Sequence, residues 1–388
     1  MEQKRIYLDN AATTRTDPEV VKVMEPYFTE VYAVASSQFS HMPGILARES
    51  LDNTREIVAK RINASPDELI FTSGGTEANN LAVKGTAWAF RGEKDHVICS
   101  KIEHNTVLHS CQWLEEEGFR LTLLDVDSEG FVDLNQLQES ISDQTFLVSI
   151  QHGNQEVGTV QPIEEIGRIC TDKGVLFHVD AALSFTQLDL DVDQIHADLV
   201  TLSAHKIHGP KGVGALYIRK GTRIKKMVHG GYSEFDLRSG TENVAGVVGF
   251  GQAVKLAQHH HVPYIRGLQK ALFDGLKKEI DGIEINGPQS LSKRLPGNVN
   301  VSFHSVEGES VVLHLDMKGI SVITGSACFS RSLEPSYVMM VMRFPHERAH
   351  GSIRFTLSRY NQMEEIDYVV NSCKEIVNAL RKISPLKT

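Results

Sequence analysis

The sequence predicts an α/β protein, built on a mostly parallel, helix-covered sheet with a smaller α+β unit after it. Three observations carry this. Between residues 50 and 220 short apolar runs alternate with helical patterns, the order that builds parallel sheets. After about residue 243 the order becomes two successive helices, short strands and a closing helix. The chain of 388 residues is long enough for one large domain with a smaller partner.

In chain order, the strands predicted in the first part are "ELIFT" (68–72), "HVICS" (96–100), "RLTLLDV" (120–126), "TFLVSIQ" (145–151), "GVLFHVD" (174–180) and "ADLVTLS" (197–203). Each is a short apolar run, as buried strands are. "IEEIGRICTDKG" (163–174) shows the helical pattern between two of them. Ligands of such sheets bind beyond the carboxyl ends of the strands, which places Thr72, Ser100, Asp180 and Ser203 around one crevice. In the second part, "VVGFGQAVKLAQHHH" and "YIRGLQKALFDGLKKEI" read as helices. "NVNVSF", "GISVIT" and "IRFTL" read as strands. Ile366, Val369, Val370, Cys373, Ile376, Val377, Leu380 and Ile383 then recur every three or four residues, the apolar face of a last helix.

Composition narrows the class. Hydrophobic residues make up 41% and charged residues 23%, as in ordinary globular enzymes. A net charge of −9 argues against broad nucleic-acid or anionic-membrane binding. No run approaches the roughly 18 apolar residues that span a bilayer. The start, "MEQKRIYLDN", has no signal-peptide core. Five dispersed cysteines (Cys99, Cys111, Cys170, Cys328 and Cys373) argue for reduced thiols in a cytoplasm, and against a disulfide framework or a zinc site. His259, His260 and His261 diverge on a helix and read as its solvated end.

Three stretches point to chemistry. In "FTSGGTEANNLAVKG" (71–85), Gly74 and Gly75 let the backbone approach an anion. Thr76 falls at the helix cap or first turn, where free N–H groups favour phosphate. A plain strand-to-helix turn accounts for this stretch equally well. Asp180 ends a central strand, where a carboxylate needs a cationic partner; a pyridinium nitrogen would supply one, and capping of the next helix is the alternative. Lys206 follows 26 positions later in "SAHKIHGPKGVGALYIR", flanked by small residues, Ser203 and His205. An amine that must bond a carbonyl carbon needs to be unprotonated part of the time, and burial among small neighbours suits it. Phosphate cup, strand-end Asp and strand-end Lys together form the constellation of pyridoxal-phosphate enzymes.

"SAHKIHGPKGVGALYIR" resembles the cofactor-lysine motif of the NifS/IscS-type cysteine desulfurases, in the class V aminotransferase family. "YLDNAATT" (7–14), "FTSGGTEANNLAVKG", "EHNTVL" (103–108), "LRSGTENV" (237–244), "GSACFSRSLEPSYV" (325–338) and "HGSIRFTLSRYN" (350–361) are similar to that family in the same order. The resemblance implies pyridoxal-phosphate fold type I. A large cofactor domain (15–258) would carry a mostly parallel seven-stranded sheet, and a small α+β domain (1–14 and 259–388) would carry the cysteine loop. It implies conversion of L-cysteine to L-alanine, with sulfur passing to a persulfide on Cys328. An iron–sulfur scaffold or tRNA-thiolation protein would be the acceptor, and the enzyme a homodimer in the cytoplasm.

By the same resemblance, Lys206 would hold pyridoxal 5'-phosphate covalently and Asp180 would pair with its ring nitrogen. His104 would stack on the ring and assist proton transfer. Gly75, Thr76, Ser203 and His205 would hold the phosphate, with Ala204 and Gln155 also at the cofactor. Thr241 would reach the phosphate of the neighbouring subunit, Arg354 would clamp the substrate carboxylate, and Cys328 would also serve as a transient iron–sulfur ligand. Three positions depart from the family pattern: Leu183 for Gln, Gln155 for Asn, and Ala33, Val34 and Ala35 for Gly-Asn-Pro. They imply a weakened pocket. A selenocysteine lyase or small-amino-acid aminotransferase, and a non-catalytic desulfurase-like scaffold, are the rival readings.

Overall fold

The computed structural model describes residues 5–258, 260–325 and 335–384. Its strands, in chain order, are β1 (Ile6–Tyr7), β2 (Leu69–Thr72), β3 (His96–Ser100), β4 (Arg120–Leu124), β5 (Thr145–Gln151) and β6 (Leu176–Asp180). They continue with β7 (Leu199–Ser203), β8 (Gly214–Ile218), β9 (Ile283–Ile285), β10 (Asn298–Phe303), β11 (Ile320–Ser321) and β12 (Ser352–Thr356). A seven-stranded sheet has the order β2-β8-β7-β6-β5-β3-β4. The run β7-β6-β5-β3-β4 is parallel, while β8 is antiparallel to both β2 and β7. The apolar runs of the sequence supply six of these strands. The seventh, β8, hides in the glycine-rich lysine motif, because the turn that carries Lys206 leads straight into it.

Alternation along the strands fills two separate cores, as the two-residue side-chain period of a sheet requires. Ile98, Val148, Phe177, Val200 and Tyr217 face one apolar cluster; Val97, Leu147, Leu199 and Leu216 face the other. Helix Ile163–Lys173 covers the first face and stops at Gly174, which is left-handed (φ 63°). Helix Asn105–Glu116 covers the second through Val107, Cys111 and Leu114.

A third cluster belongs to the three-stranded sheet β12-β10-β9 and two long helices, His261–Glu279 and Met363–Ile383. The apolar face predicted for the last helix is buried there from Ile366 to Val377. Ile6 and Leu8 join the same cluster, and β1 pairs in parallel with β11. The N-terminal segment therefore packs with the C-terminal part of the chain. "GISVIT" forms only the two residues of β11 in this pairing, so that strand is shorter than predicted. Among the described residues no helix is long and apolar enough to cross a membrane.

Candidate active site

A cavity of about 700 Å³ opens beyond the carboxyl ends of β5, β6 and β7, where parallel sheets bind ligands. Gly75, Thr76, His104, Gln155, Asp180, Ser203, His205, Lys206 and Arg354 all line it. Nine residues picked from separate stretches of sequence thus meet in one wall. Ala204 does not line it; its methyl lies in the apolar core, and its carbonyl accepts from Ile207 and Gly209 N–H (3.1 and 2.9 Å), bracing the lysine turn. Thr241 is exposed and outside this chain's cavity. Ala33, Val34 and Ala35 also lie outside the wall, Ala35 opening a short turn (Ala35–Phe39). Thr72 and Ser100, expected around the crevice, spend their hydroxyls locally, on the Gly74 carbonyl (3.0 Å) and the Glu103 carboxyl (2.6 Å). Cys328 and His259 lie outside the described residues.

The phosphate end is built by a strand-to-helix turn. Gly74 has φ 148° and ψ −179°, a conformation open to glycine alone. It lets the chain reverse from β2 into helix Gly75–Asn80, so Thr76 is the second helical residue. Across the turn, Ser203 at the end of β7 has a buried hydroxyl with no hydrogen-bond partner among the described residues. A Cβ on Gly75 would stand 3.7 Å from Ser203 Cβ, so the two close on one small space. A buried hydroxyl left unpaired is costly unless a ligand completes it. A phosphate, an acceptor on every side, fits this hydroxyl and the free N–H groups of the first helical turn.

Asp180 is held by its neighbours. Its Oδ2 accepts from Asn79 Nδ2 (2.7 Å) and its Oδ1 from Ala182 N–H (3.0 Å). Asn79 lies one helical turn after Gly75 and so shares its face. It also donates to Thr106 Oγ1 (2.8 Å), which hydrogen-bonds His104 Nδ1 (2.9 Å). Thr106 N–H donates to the same Nδ1 (3.2 Å), so the neutral imidazole carries its proton on Nε2. Burial lowers the pKa of His104, against the opposing pull of Asp180, and the ring is neutral at pH 7. The sequence reading missed Asn79 and Thr106. The spacing of Asn79 from Gly75 was available as a signal; Thr106 offered none.

Lys206 sits on the short turn Ala204–Lys206 between β7 and β8. Its ammonium donates to the carbonyls of Ala11 and Ala12, so the N-terminal segment wraps the lysine. Thr14 N–H and Oγ1 donate to the His205 carbonyl (3.0 and 2.9 Å), fixing that wrap. Burial first, then Lys206 and Lys211, push the His205 imidazole down to about 4, so it is uncharged beside the amine.

Arg354, on β12, is almost fully buried and pairs with Asp9 through Nη2 (2.6 Å). Its Nη1 donates to the Gln155 carbonyl (3.0 Å), and its Nε is buried with no partner among the described residues. The guanidinium is thus pinned and still has a donor to give. Gln155, one of the departures, donates from Nε2 to Tyr337 Oη (3.1 Å), another residue of the cavity wall. Leu183, another departure, lines both this cavity and a smaller one of about 70 Å³ beside Lys206.

Two carboxyls are fully enclosed next to the site. Burial pushes Glu103 up to about 8, and pushes Glu156 up to about 7 against the opposing Ser336 hydrogen bond and Arg354 charge. Glu103 keeps a proton in the fold that an unfolded carboxyl, with pKa about 4.3, gives up. Its effect on stability is therefore most favourable below about pH 4.3 and is lost progressively as pH rises toward 8. Glu103→Gln is expected to raise Tm by roughly 2–4 °C at pH 8 and by little at pH 5. Thermal unfolding of both forms across that pH range checks this; a gain independent of pH would show that Glu103 does not titrate as its burial dictates.

Residues 6–369 match the Aminotransferase class-V family. The chain is 45% identical over 386 residues to a cysteine desulfurase IscS of Clostridium botulinum, covering 99% of this chain and 97% of that one. It is 46% identical to the cysteine desulfurase IscS of Dictyoglomus turgidum, covering 99% and 98%. Among solved structures it is similar to a NifS-like protein, with TM-score 0.90, 37% identity and coverage of 97% and 100%. It is also similar to SspA in complex with cysteine, with TM-score 0.82, 36% identity and coverage of 92% and 100%. With so long a match and so close a fold, the chain belongs to the class-V aminotransferase family, within its NifS/IscS-type cysteine desulfurases.

Proposed function

We propose that this protein is a pyridoxal-phosphate-dependent cysteine desulfurase that converts L-cysteine to L-alanine and passes the sulfur to Cys328. The observation that carries the reading is the single cavity in which Lys206, a braced Asp180, a neutral His104 and the unpaired hydroxyl of Ser203 converge. Pyridoxal phosphate, when bound, supplies an electron sink for the substrate's Cα. Lys206 would hold it, Asp180 would accept a hydrogen bond from its protonated ring nitrogen, and Ser203, His205, Gly75 and Thr76 would take its phosphate.

The chain's own residues do the rest. Arg354, which lines the cavity and is pinned by Asp9, would take the substrate carboxylate and so fix which face of the substrate meets the wall. His104, neutral with its free proton on Nε2, is suited to exchange a proton with the substrate. Lys206 would be the second base within the same wall. In the sulfur step the thiolate of Cys328 attacks the substrate sulfur. A sulfur–sulfur bond forms, the substrate's carbon–sulfur bond breaks, and that carbon takes a proton to become the methyl of alanine. Cys328 leaves as a persulfide, to be collected by an iron–sulfur scaffold or another acceptor, and is in that role the transient iron–sulfur ligand.

Division into a large cofactor domain (15–258) and a small domain (1–14 and 259–388) belongs to the same proposal. So does a homodimer. Phe28, Tyr32, Phe39, Met42 and Tyr232 are large apolar side chains left exposed, and Thr241 is exposed as a residue serving a neighbour's phosphate would be.

Alanine formed from L-cysteine, with persulfide detected on the protein, tests the function. A keto acid in place of alanine would turn the reading to an aminotransferase, and no turnover with intact cofactor binding would turn it to a scaffold. The departure at 183 sets an expectation of rate. Leu183 cannot donate to the ring hydroxyl, and the Gln155 amide is engaged with Tyr337. A hydrogen bond to a charged group is worth about 1.5–3 kcal/mol, so if half is realised in the transition state Leu183→Gln should raise kcat about three- to twelvefold. An unchanged kcat and an unchanged pH response of the cofactor's absorbance would make Leu183 a neutral replacement.

A further inference from the structure

We infer that Glu77 and Arg238 are positioning residues for the cofactor phosphate: the pair straps the turn 73–76 from the side that the sheet leaves open. This rests on the reading of that turn and Ser203 as the phosphate cup. Ser73, Gly74, Gly75 and Thr76 line the cavity, whereas Glu77 and Arg238 do not, so the pair acts through the turn. Glu77 Oε2 accepts from Ser73 N–H (2.8 Å), which closes the turn on itself. Arg238 Nε donates to Glu77 Oε1 (2.9 Å) and its Nη2 to Oε2 (3.4 Å), a two-pronged hold between partly buried side chains.

The sheet supports this turn from one flank. β2 lies at the sheet edge, and among the described residues its strand neighbour is β8. On that flank the turn rests on Gly214, where an added Cβ would stand 2.8 Å from Gly74 Cα and 2.7 Å from the Leu202 carbonyl oxygen. On the other flank a buried ion pair stands where a further strand would. Arg55 Nη1 donates to the Leu69 carbonyl, and Phe71 N–H donates to Glu234 Oε2 (2.7 Å). Arg55 and Glu234 meet through two hydrogen bonds (both 2.8 Å), with side chains only 4% and 5% exposed. The pair thus satisfies backbone groups that an edge strand leaves open.

Glu234 and Arg238 belong to one short segment, so the anchor on β2 and the strap on the turn are parts of the same device. Glu234, Phe235 and Asp236 are all left-handed (φ 45°, 56° and 63°), a run that non-glycine residues adopt only at a cost. The buried ion pair offsets that cost, as does the Arg55 guanidinium, which lies over the rings of Phe71 and Phe235 (4.8 and 5.0 Å to the ring centres). Leu237 N–H then donates to the Glu234 carbonyl (3.0 Å), and Arg238 follows directly. The space held small by the strap is the one between the turn and β7, where a Cβ on Gly75 would stand 3.7 Å from Ser203 Cβ. A cup looser by about 1 Å no longer meets each phosphate oxygen at hydrogen-bond distance.

The test uses full-length enzyme loaded with pyridoxal phosphate or with deoxypyridoxal, which has the same ring and aldehyde but a methyl in place of the phosphate arm. Release after dilution is followed by the absorbance of the covalently held compound. Wild type is expected to release deoxypyridoxal at least about a hundredfold faster than pyridoxal phosphate. Arg238→Ala and Glu77→Ala are each expected to release pyridoxal phosphate at least about tenfold faster than wild type, and deoxypyridoxal within about threefold of it. Glu77→Gln, whose amide oxygen still accepts from Ser73 N–H, is expected to stay within about threefold of wild type for both compounds. The double variant Arg238→Ala with Glu77→Ala should be no faster than Glu77→Ala alone, because Arg238 reaches the turn through that carboxylate. Multiplying effects in the double variant, or equal acceleration of both compounds in the single variants, would overturn the inference. So would unchanged or slower release of pyridoxal phosphate in Arg238→Ala and Glu77→Ala. If wild type releases both compounds at one rate, the reading of the phosphate cup fails and the inference with it, an outcome distinct from a selective wild type with indifferent variants.

Discussion

Lys206→Ala is expected to reduce alanine formation from L-cysteine to below about one-thousandth of wild type and to abolish covalent attachment of pyridoxal phosphate. The expectation comes from geometry. Lys206 sits on the turn that leaves β7, its amine gathered by the Ala11 and Ala12 carbonyls at the cavity wall, in the same wall as the braced Asp180. Lys211 is the rival, since it also lines the cavity, but it is exposed at the rim in the glycine turn before β8. Borohydride reduction of the loaded enzyme followed by peptide mapping reads the position directly and does not depend on turnover. Wild type should carry the label on Lys206, and Lys206→Ala should carry none. Label on Lys211 in wild type would remove the basis of the whole site assignment.

What could be read from the sequence, and what could not, follows from how far apart the interacting residues lie. The parallel sheet was legible because each buried strand is a local apolar run, and Asp180 and Ser203 stood out as polar groups at the ends of such runs. β8 was not, because its apolar residues follow directly on a glycine turn that looks like part of the lysine motif. Nor was the shortening of "GISVIT" to β11, which depends on pairing with β1 more than 300 residues earlier. Candidate cofactor ligands were legible one by one. Their supports were not: Asp9 holds Arg354 across 345 residues, and Ser336 holds Glu156 across 180. Such partners have no periodicity or spacing to betray them. Tyr337, which accepts from the Gln155 amide, is another such partner, 182 residues away.

Cys328→Ser is expected to leave the cofactor's absorbance response to L-cysteine intact while alanine and protein persulfide fall by about a thousandfold or more. Cofactor and substrate are to be held by Lys206, Asp180, the phosphate turn and Arg354, none of which the substitution touches. The sulfur acceptor must be a thiolate with access to the cavity, and the other four cysteines lack that access. Cys99, Cys111, Cys170 and Cys373 are all buried, and none lines the cavity. Burial pushes the thiols of Cys170 and Cys373 up to about 12, and a hydrogen bond with Cys111, with burial, raises that of Cys99. At neutral pH a thiol with a pKa near 12 is ionised in roughly one molecule in 100,000, too rarely to compete as a nucleophile. A serine hydroxyl is a far poorer nucleophile toward sulfur than a thiolate, so the substitution should stop the reaction after substrate binding and before the carbon–sulfur bond breaks. Persulfide mapped by mass spectrometry to any of the four buried cysteines in wild type would show that the enclosed thiols open to substrate. Alanine formed at the wild-type rate by Cys328→Ser would show that the substrate sulfur leaves without a protein nucleophile.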